Sequence, residues 1–252
     1  MWRVTRPRRF WYKVWQMASG LGGAGVPADP LEAARLRVVV ATIAINVVAV
    51  GLLVFAPWSN WRTAVALNVI DNVLLVGFAV RRRDGLLARL LVFGLVTGFA
   101  ELAADAWLVD FTRTLDYSIG GGWTLWRSPA WMPFAWEVVA VQFGYLGLRL
   151  RERFSGWGLA GIGLLGAVNI PYYEEMARRI HWWRYSGCRM ISGTPYYIIV
   201  GELLIAVAFA LLVRGFRRAG MGKTALTGIA GGAAIFASYA VAYGLTDRMP
   251  TR

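Results

Sequence analysis

The sequence predicts an all-α, polytopic integral membrane protein of about seven transmembrane helices, with the N-terminus inside and the C-terminus outside. Three observations carry this. The 252 residues are 58% hydrophobic and 16% charged, where a soluble domain carries about 25% charged residues, and mean hydropathy is +0.50. Apolar runs close to the ~20 residues that cross a bilayer recur at about 38–57, 63–80, 87–109, 129–148, 156–175, 194–213 and 224–245. The basic residues fall in short segments between those runs and favour alternate loops, as positive-inside topology requires. The net charge of +13 therefore reports topology rather than a nucleic-acid partner. One cysteine, Cys188, and one histidine, His181, exclude an internal disulfide, a multi-thiolate metal site and a His-rich metal cluster.

Residues 1–35 read as a basic and aromatic segment on the cytoplasmic membrane face. Arg3, Arg6, Arg8, Arg9 and Lys13 alternate with Trp2, Phe10, Trp11, Tyr12 and Trp15, and a Gly/Pro stretch follows from Gly20 to Pro30. No uninterrupted apolar core follows the first charges, so an interfacial amphipathic segment fits better than a cleaved signal. Residues 36–246 form the membrane domain. Its inner loops hold Arg81, Arg82, Arg83 and Arg89, then Arg149, Arg151 and Arg153, then Arg214, Arg217, Arg218 and Lys223. Against the rule, Arg178, Arg179, Arg184 and Arg189 crowd one outer loop, 176–193. Such cations fit either pairing with Glu174, Glu175, Asp110 or Asp116 as a lid or lipid headgroups. The expected location is the inner cell membrane.

Segments 87–153 and 156–218 match as an internal repeat. Each has an acid-bearing helix, a Tyr-Ser pair in the outer loop (Tyr117-Ser118, Tyr185-Ser186), a proline opening the next helix and an acid about two turns inside it (Glu137, Glu202). Chance similarity in a biased composition is the alternative. The last run, with Gly228, Gly231 and Gly232, reads as a close-packing helix that fits a neighbouring helix or a second protomer.

Ionised carboxylates at bilayer depth cost at least ~2.5 kcal/mol, so they face a bundle interior and mark sites. This chain places Asp71, Glu101, Asp105, Glu137, Glu174, Glu175 and Glu202 in its apolar runs. Counting ~1.5 Å per residue, Glu101, Glu137 and Glu202 share one level of the outer half, with Glu174 and Glu175 at the rim. Rings gather at the same ends: Trp107, Tyr117, Trp136, Tyr172, Tyr173, Tyr185 and Tyr196 are the substrate-binding candidates, beyond those that anchor helix ends. Aromatic faces stabilise cations by up to ~2 kcal/mol when desolvated. A neutral buried carboxyl beside such faces suits protonation of an alkene and steering of the carbocation. Glu174, Glu175, Glu137, Glu202, Glu101 and Asp105 are the catalytic candidates, with no cofactor and no metal required. No Asp-rich magnesium motif for diphosphate chemistry occurs.

The run Pro171-Tyr172-Tyr173-Glu174-Glu175 is similar to the Pro-x-Glu-(Glu) element of heterodimer-type lycopene cyclases, with one extra residue. The acid-bearing helix, tyrosine-containing outer loop and proline-led next helix resemble the carotenoid 1,2-hydratase family. The resemblance covers about residues 101–202. It implies cofactor-free acid chemistry on a carotenoid or similar terpenoid, and it carries a role only to Glu174 and Glu175. The partners expected are membrane lipids and a lipophilic small-molecule substrate, with a homo-oligomer or a partner membrane subunit left open. A small transporter or proton-relay protein and a non-catalytic scaffold subunit are the rival readings.

Overall fold

A computed structural model describes residues 29–247, and residues 1–28 and 248–252 lie outside it. Most of the expected N-terminal segment is therefore outside the described residues. Seven long helices follow among the described residues: α1 Pro30–Leu53, α2 Trp61–Arg82, α3 Gly85–Ala106, α4 Met132–Phe154, α5 Gly156–Ile180, α6 Tyr196–Leu212 and α7 Met221–Thr246. Their positions follow the apolar runs, with one boundary to correct. Helix α1 starts at Pro30, not after residue 35, because Asp29 accepts the Leu31 N–H and proline occupies the first helical position, an arrangement suited to a helix start.

Five of the helical segments are long and apolar enough to cross a membrane: α1, α2, α3 with its extension to Thr112, α6 with its extension to Gly215, and α7. Helices α4 and α5 are as long but more polar. The last turns of α4 carry Arg149, Arg151, Glu152 and Arg153, and α5 holds Asn169, Pro171, Glu174 and Glu175. Polar positions of this kind persist where neighbouring helices shield them.

Helices α3 to α7 pack into one bundle, with α7 close against α3. The Gly228, Gly231 and Gly232 face meets Phe93, Val96, Thr97 and Ala100 of α3, so that surface is filled within the chain, not left for a second protomer. Helices α1 and α2 lean on the bundle: 17% and 22% of their apolar spans are buried, against 56% for α3. Their outward side is a sheet of exposed Val, Leu and Ile, the surface a lipid environment accepts.

One end of the bundle is knitted by charge. Arg35 donates to both oxygens of Asp84 at 2.6 and 3.0 Å, and Asp84 also caps α3 through the Leu86 and Leu87 N–H groups. Tyr145 and Arg149 meet Glu32 there.

At the other end two loops meet. Strand β1 (Leu115–Asp116) pairs antiparallel with β4 (Arg184–Tyr185). The first loop also folds a hairpin from β2 (Thr124–Leu125) and β3 (Ser128–Pro129), and the second from β5 (Met190–Ile191) and β6 (Thr194–Pro195). The local order is the same in both halves. A helix closes on a left-handed residue (Arg113, φ 56°; His181, φ 62°), a β1 or β4 strand follows, and then a hairpin with a left-handed residue at its turn (Trp126, φ 56°; Ser192, φ 55°). Equivalent glycines sit in the first helix of each half: a Cβ on Gly94 would lie 2.6 Å from the Glu137 carbonyl oxygen, and one on Gly166 2.6 Å from that of Glu202.

The tightest approach in the bundle is at Gly98, where a methyl group would run into the Pro133 backbone carbonyl. Overpacking of this kind costs about 1–3 kcal/mol, so Gly98→Ala should lower the thermal unfolding midpoint in detergent clearly. Gly77, with open space around it, is the control, and Gly77→Ala should leave the midpoint unchanged or raise it.

Candidate functional site

Between the α1/α2 pair and the α3–α7 bundle lies a cavity of about 280 Å³. The bundle contributes Asp105, Glu174 and Glu202 to its wall, and α2 contributes Asp71. Trp131, Trp136, Trp182, Trp183, Tyr117, Tyr173 and Tyr185 supply its rings. Among the described residues that line it there is no lysine, arginine or histidine.

Two carboxylates are held alike. Asp105 accepts from the Tyr117 hydroxyl at 2.8 Å and from Ser128 at 2.7 Å. Glu174 accepts from the Trp183 indole N–H and, at 3.3 Å, from the Tyr185 hydroxyl. Tyr117 follows β1 and Tyr185 ends β4, so the strand pair that joins the two loops also delivers the two phenols. Asp105 precedes its left-handed cap by one residue more than Glu174 does. The π-helical turn Trp107–Thr112 absorbs that residue, as such single-turn insertions do. Burial pushes the Tyr117 and Tyr185 phenols well above their ordinary pKa, which keeps both as O–H donors.

Glu202 accepts from the Tyr239 hydroxyl at 2.6 Å. Glu101 is fully buried one turn before Asp105 on α3, and neither of its carboxylate oxygens has a hydrogen-bond partner among the described residues. Asp105 stands four residues further along the same helix face. Two adjacent carboxyls without a cation are poorly compatible with two negative charges, so the pair suits a shared proton. Asp71 Oδ1 and the Trp131 indole nitrogen are likewise buried without a partner among the described residues.

Several candidates stand elsewhere than the sequence suggested. Of Glu101, Glu137 and Glu202, only Glu202 lines the cavity; Glu101 lies behind Asp105, and Glu137 is buried on α4 without reaching the wall. Glu175 points away from the cavity and is bound by Arg178, Arg179 and Ser192, because adjacent helical positions do not share a face. Trp107 packs on Phe111, Phe236 and Tyr243 at the α7 side. Tyr172 donates to the Val47 carbonyl, and Tyr196 lies under Arg189. Neither lines the cavity. Tyr117, Trp136, Tyr173 and Tyr185 do.

Three of the four crowded arginines pair with acids, Arg178 and Arg179 in the last turn of α5 and Arg184 in the loop that follows. Arg184 joins Asp116 across the two loops at 2.9 Å, and Arg178 and Arg179 take Glu175. Arg189 donates its backbone N–H to Asp247 and its guanidinium to the Thr246 carbonyl at the end of α7. The Ser118 hydroxyl, its backbone N–H and Arg184 hold the Asp116 carboxyl below its usual pKa. The clasp is therefore intact above the ordinary carboxylate range and is lost only as pH falls through the lowered value.

The sequence reading passed over Tyr239 and the uncharged polar residues Asn46, Asn68, Gln142 and Asn169, all on the cavity wall. Their signal was an amide or phenol inside an apolar run, which a search restricted to charges and loop-end rings misses.

Fold and site together define a helical bundle with apolar outer faces and an acid-lined aromatic cavity. The chain belongs to the family described as Domain of unknown function (DUF6989), which matches residues 102–246. That segment takes in both acid–tyrosine pairs and Glu202 and leaves α1 and α2 outside. No curated protein and no solved structure matches the chain.

Proposed function

We propose that this is an integral membrane enzyme that protonates a lipophilic isoprenoid, carotenoid or terpenoid, by carboxylic acid, in the manner of a cyclase or hydratase. All seven helices cross the inner cell membrane in this reading, with the N-terminus inside and the clasped loops outside. The observation that carries the chemistry is the pair of carboxyls, Asp105 and Glu174, each held by a loop tyrosine and facing one aromatic cavity that no cationic side chain lines among the described residues. An anionic substrate such as a diphosphate would find four acids and no counter-charge there. A neutral polyene finds rings.

The step is balanced within the chain. A carboxyl O–H gives its proton to an alkene carbon, a C–H bond forms as the π bond opens, and the carboxylate remains. The cation, stabilised by Trp131, Trp136 and Trp183 faces, is quenched by ring closure and loss of a proton to the second carboxylate, or by a water molecule that bonds to the cationic carbon and gives its extra proton to that carboxylate; exchange with solvent then reprotonates the first acid and deprotonates the second. Glu101, one turn from Asp105 on α3, and Glu202, hydrogen-bonded to Tyr239, are the further acids beside the reacting pair.

Two experiments test the reading. Extracts of an isoprenoid-producing host with and without the gene should differ by a cyclised or hydrated product of the host's own polyenes. Identical extracts across linear substrates of several chain lengths would favour the transporter or scaffold readings. For topology, reporter fusions after Arg83, Arg153 and Lys223 should read cytoplasmic and one after Gly122 external. A cytoplasmic signal at Gly122 would break the seven-span arrangement.

A further inference from the structure

The α1/α2 side of the cavity has chemistry that the proton-transfer reading leaves unused. Asp71 lies on α2 ten residues after Trp61, about 15 Å along the helix at ~1.5 Å per residue. It is 2% exposed and on the cavity wall. Its Oδ2 accepts from the Asn46 side-chain N–H at 2.6 Å, while its Oδ1 has no partner among the described residues. The side chains lining the wall around it bring no cation: Asn46 from α1, Asn68 from α2, Gln142 from α4, and Asn169 and Tyr173 from α5. Asn68 and Gln142 each direct one N–H to Ala64 and Thr42, and neither makes a hydrogen bond to Asp71 Oδ1.

A buried carboxylate oxygen without a donor is costly, and the cost is relieved by a ligand that brings one. Apart from these groups and the acids Asp105, Glu174 and Glu202 on the bundle side, the wall is apolar and aromatic, so the ligand has a donor group at one end and a hydrocarbon body. With no basic side chain among the described residues on the wall, that end is not an anion. We infer that Asp71, oriented by Asn46, is a specificity subsite for the hydroxyl end of an isoprenoid alcohol, which seats the chain so that its double bonds face Asp105 and Glu174. This rests on the proposed isoprenoid chemistry, but it is a statement about binding and is tested as one. Asp71 acts as a positioning residue.

The probes are geranylgeraniol and its methyl ether, which has the same chain and oxygen but no O–H donor. Binding to the protein in phosphatidylcholine nanodiscs is followed by the fluorescence of the four tryptophans on the cavity wall. The alcohol should bind about tenfold or more tightly than the ether, as expected when a buried acceptor is left unpaired. In Asp71→Asn the amide oxygen can accept from Asn46 and turn its N–H₂ to the cavity. Alcohol and ether can both accept from that group, so the preference should collapse. Asn46→Ala, which leaves the carboxylate in place but unoriented, should reduce the preference in part and serves as the second variant should Asp71→Asn not fold. Equal binding of the two probes to the wild type, no binding of the alcohol, or a preference unchanged in the folded variants would each overturn the inference. The two proposals fail separately. An Asp71-dependent preference without any conversion would count against the chemistry alone, and conversion without the preference would count against the subsite alone.

Discussion

On the proposed chemistry, replacing Asp105 by asparagine or Glu174 by glutamine is expected to lower isoprenoid conversion by about 10²–10⁴-fold, the usual loss when a general acid or base is removed. The amide can still accept from the tyrosine of its loop, Tyr117 or Tyr185, so the fold and the cavity wall should survive. What disappears is the transferable proton. Glu175→Gln is the informative neighbour: its carboxylate is engaged by Arg178, Arg179 and Ser192 and should be dispensable for conversion. Activity assays on folded, membrane-inserted protein check this. Full activity in both Asp105→Asn and Glu174→Gln would remove the acid–tyrosine pairs from the mechanism.

Arg35→Ala should be the most destabilising single change at the opposite end. The guanidinium makes two hydrogen bonds to Asp84, whose side chain is fully buried. Removing one partner of a buried pair leaves an uncompensated charge and costs about 3–5 kcal/mol. The loss reaches beyond the pair, because Asp84 also caps α3 and holds the α2–α3 turn against α1. Thermal unfolding in detergent should show a large drop for Arg35→Ala. The double variant Arg35→Met with Asp84→Asn should recover much of it, since asparagine still accepts at the cap and Glu32, which also pairs with Arg35, keeps Arg149 and Arg217. A double variant no better than the single one would show that the charge is not the cause.

The helices were legible because each apolar run must satisfy its backbone internally in an apolar medium, and periodic interruption by arginine marked their ends. The start of α1 was misread. Asp29-Pro30 looked like the end of a Gly/Pro linker, when it is an N-cap followed by a proline at the first helical position. The loop strands left no trace in the sequence, since two-residue strands such as β1 and β4 have no alternation to read. Yet they bring Tyr117 and Tyr185 to the acids.

The site was legible as far as charge is expensive: Asp105, Glu174 and Glu202 stood out in apolar runs and do line the cavity. Depth counting could not separate Glu137 from Glu202, because equal depth does not fix the side of the helix. Rings were over-assigned, since a helix-end aromatic such as Trp107 or Tyr196 can serve packing or an arginine equally well. Glu174 and Glu175 were indistinguishable in sequence, and the helical turn sends one into the cavity and the other to the arginines.

The central claim is that a carboxyl of this chain delivers a proton to carbon, and isotope incorporation tests it most directly. Purified protein in nanodiscs, equilibrated in D₂O and given a linear isoprenoid that it converts, should form a product with one deuterium on carbon for each protonation, because the donor carboxyl exchanges with solvent. Asp105→Asn and Glu174→Gln should suppress the labelled product. A product formed at full rate with no deuterium on carbon would contradict the account.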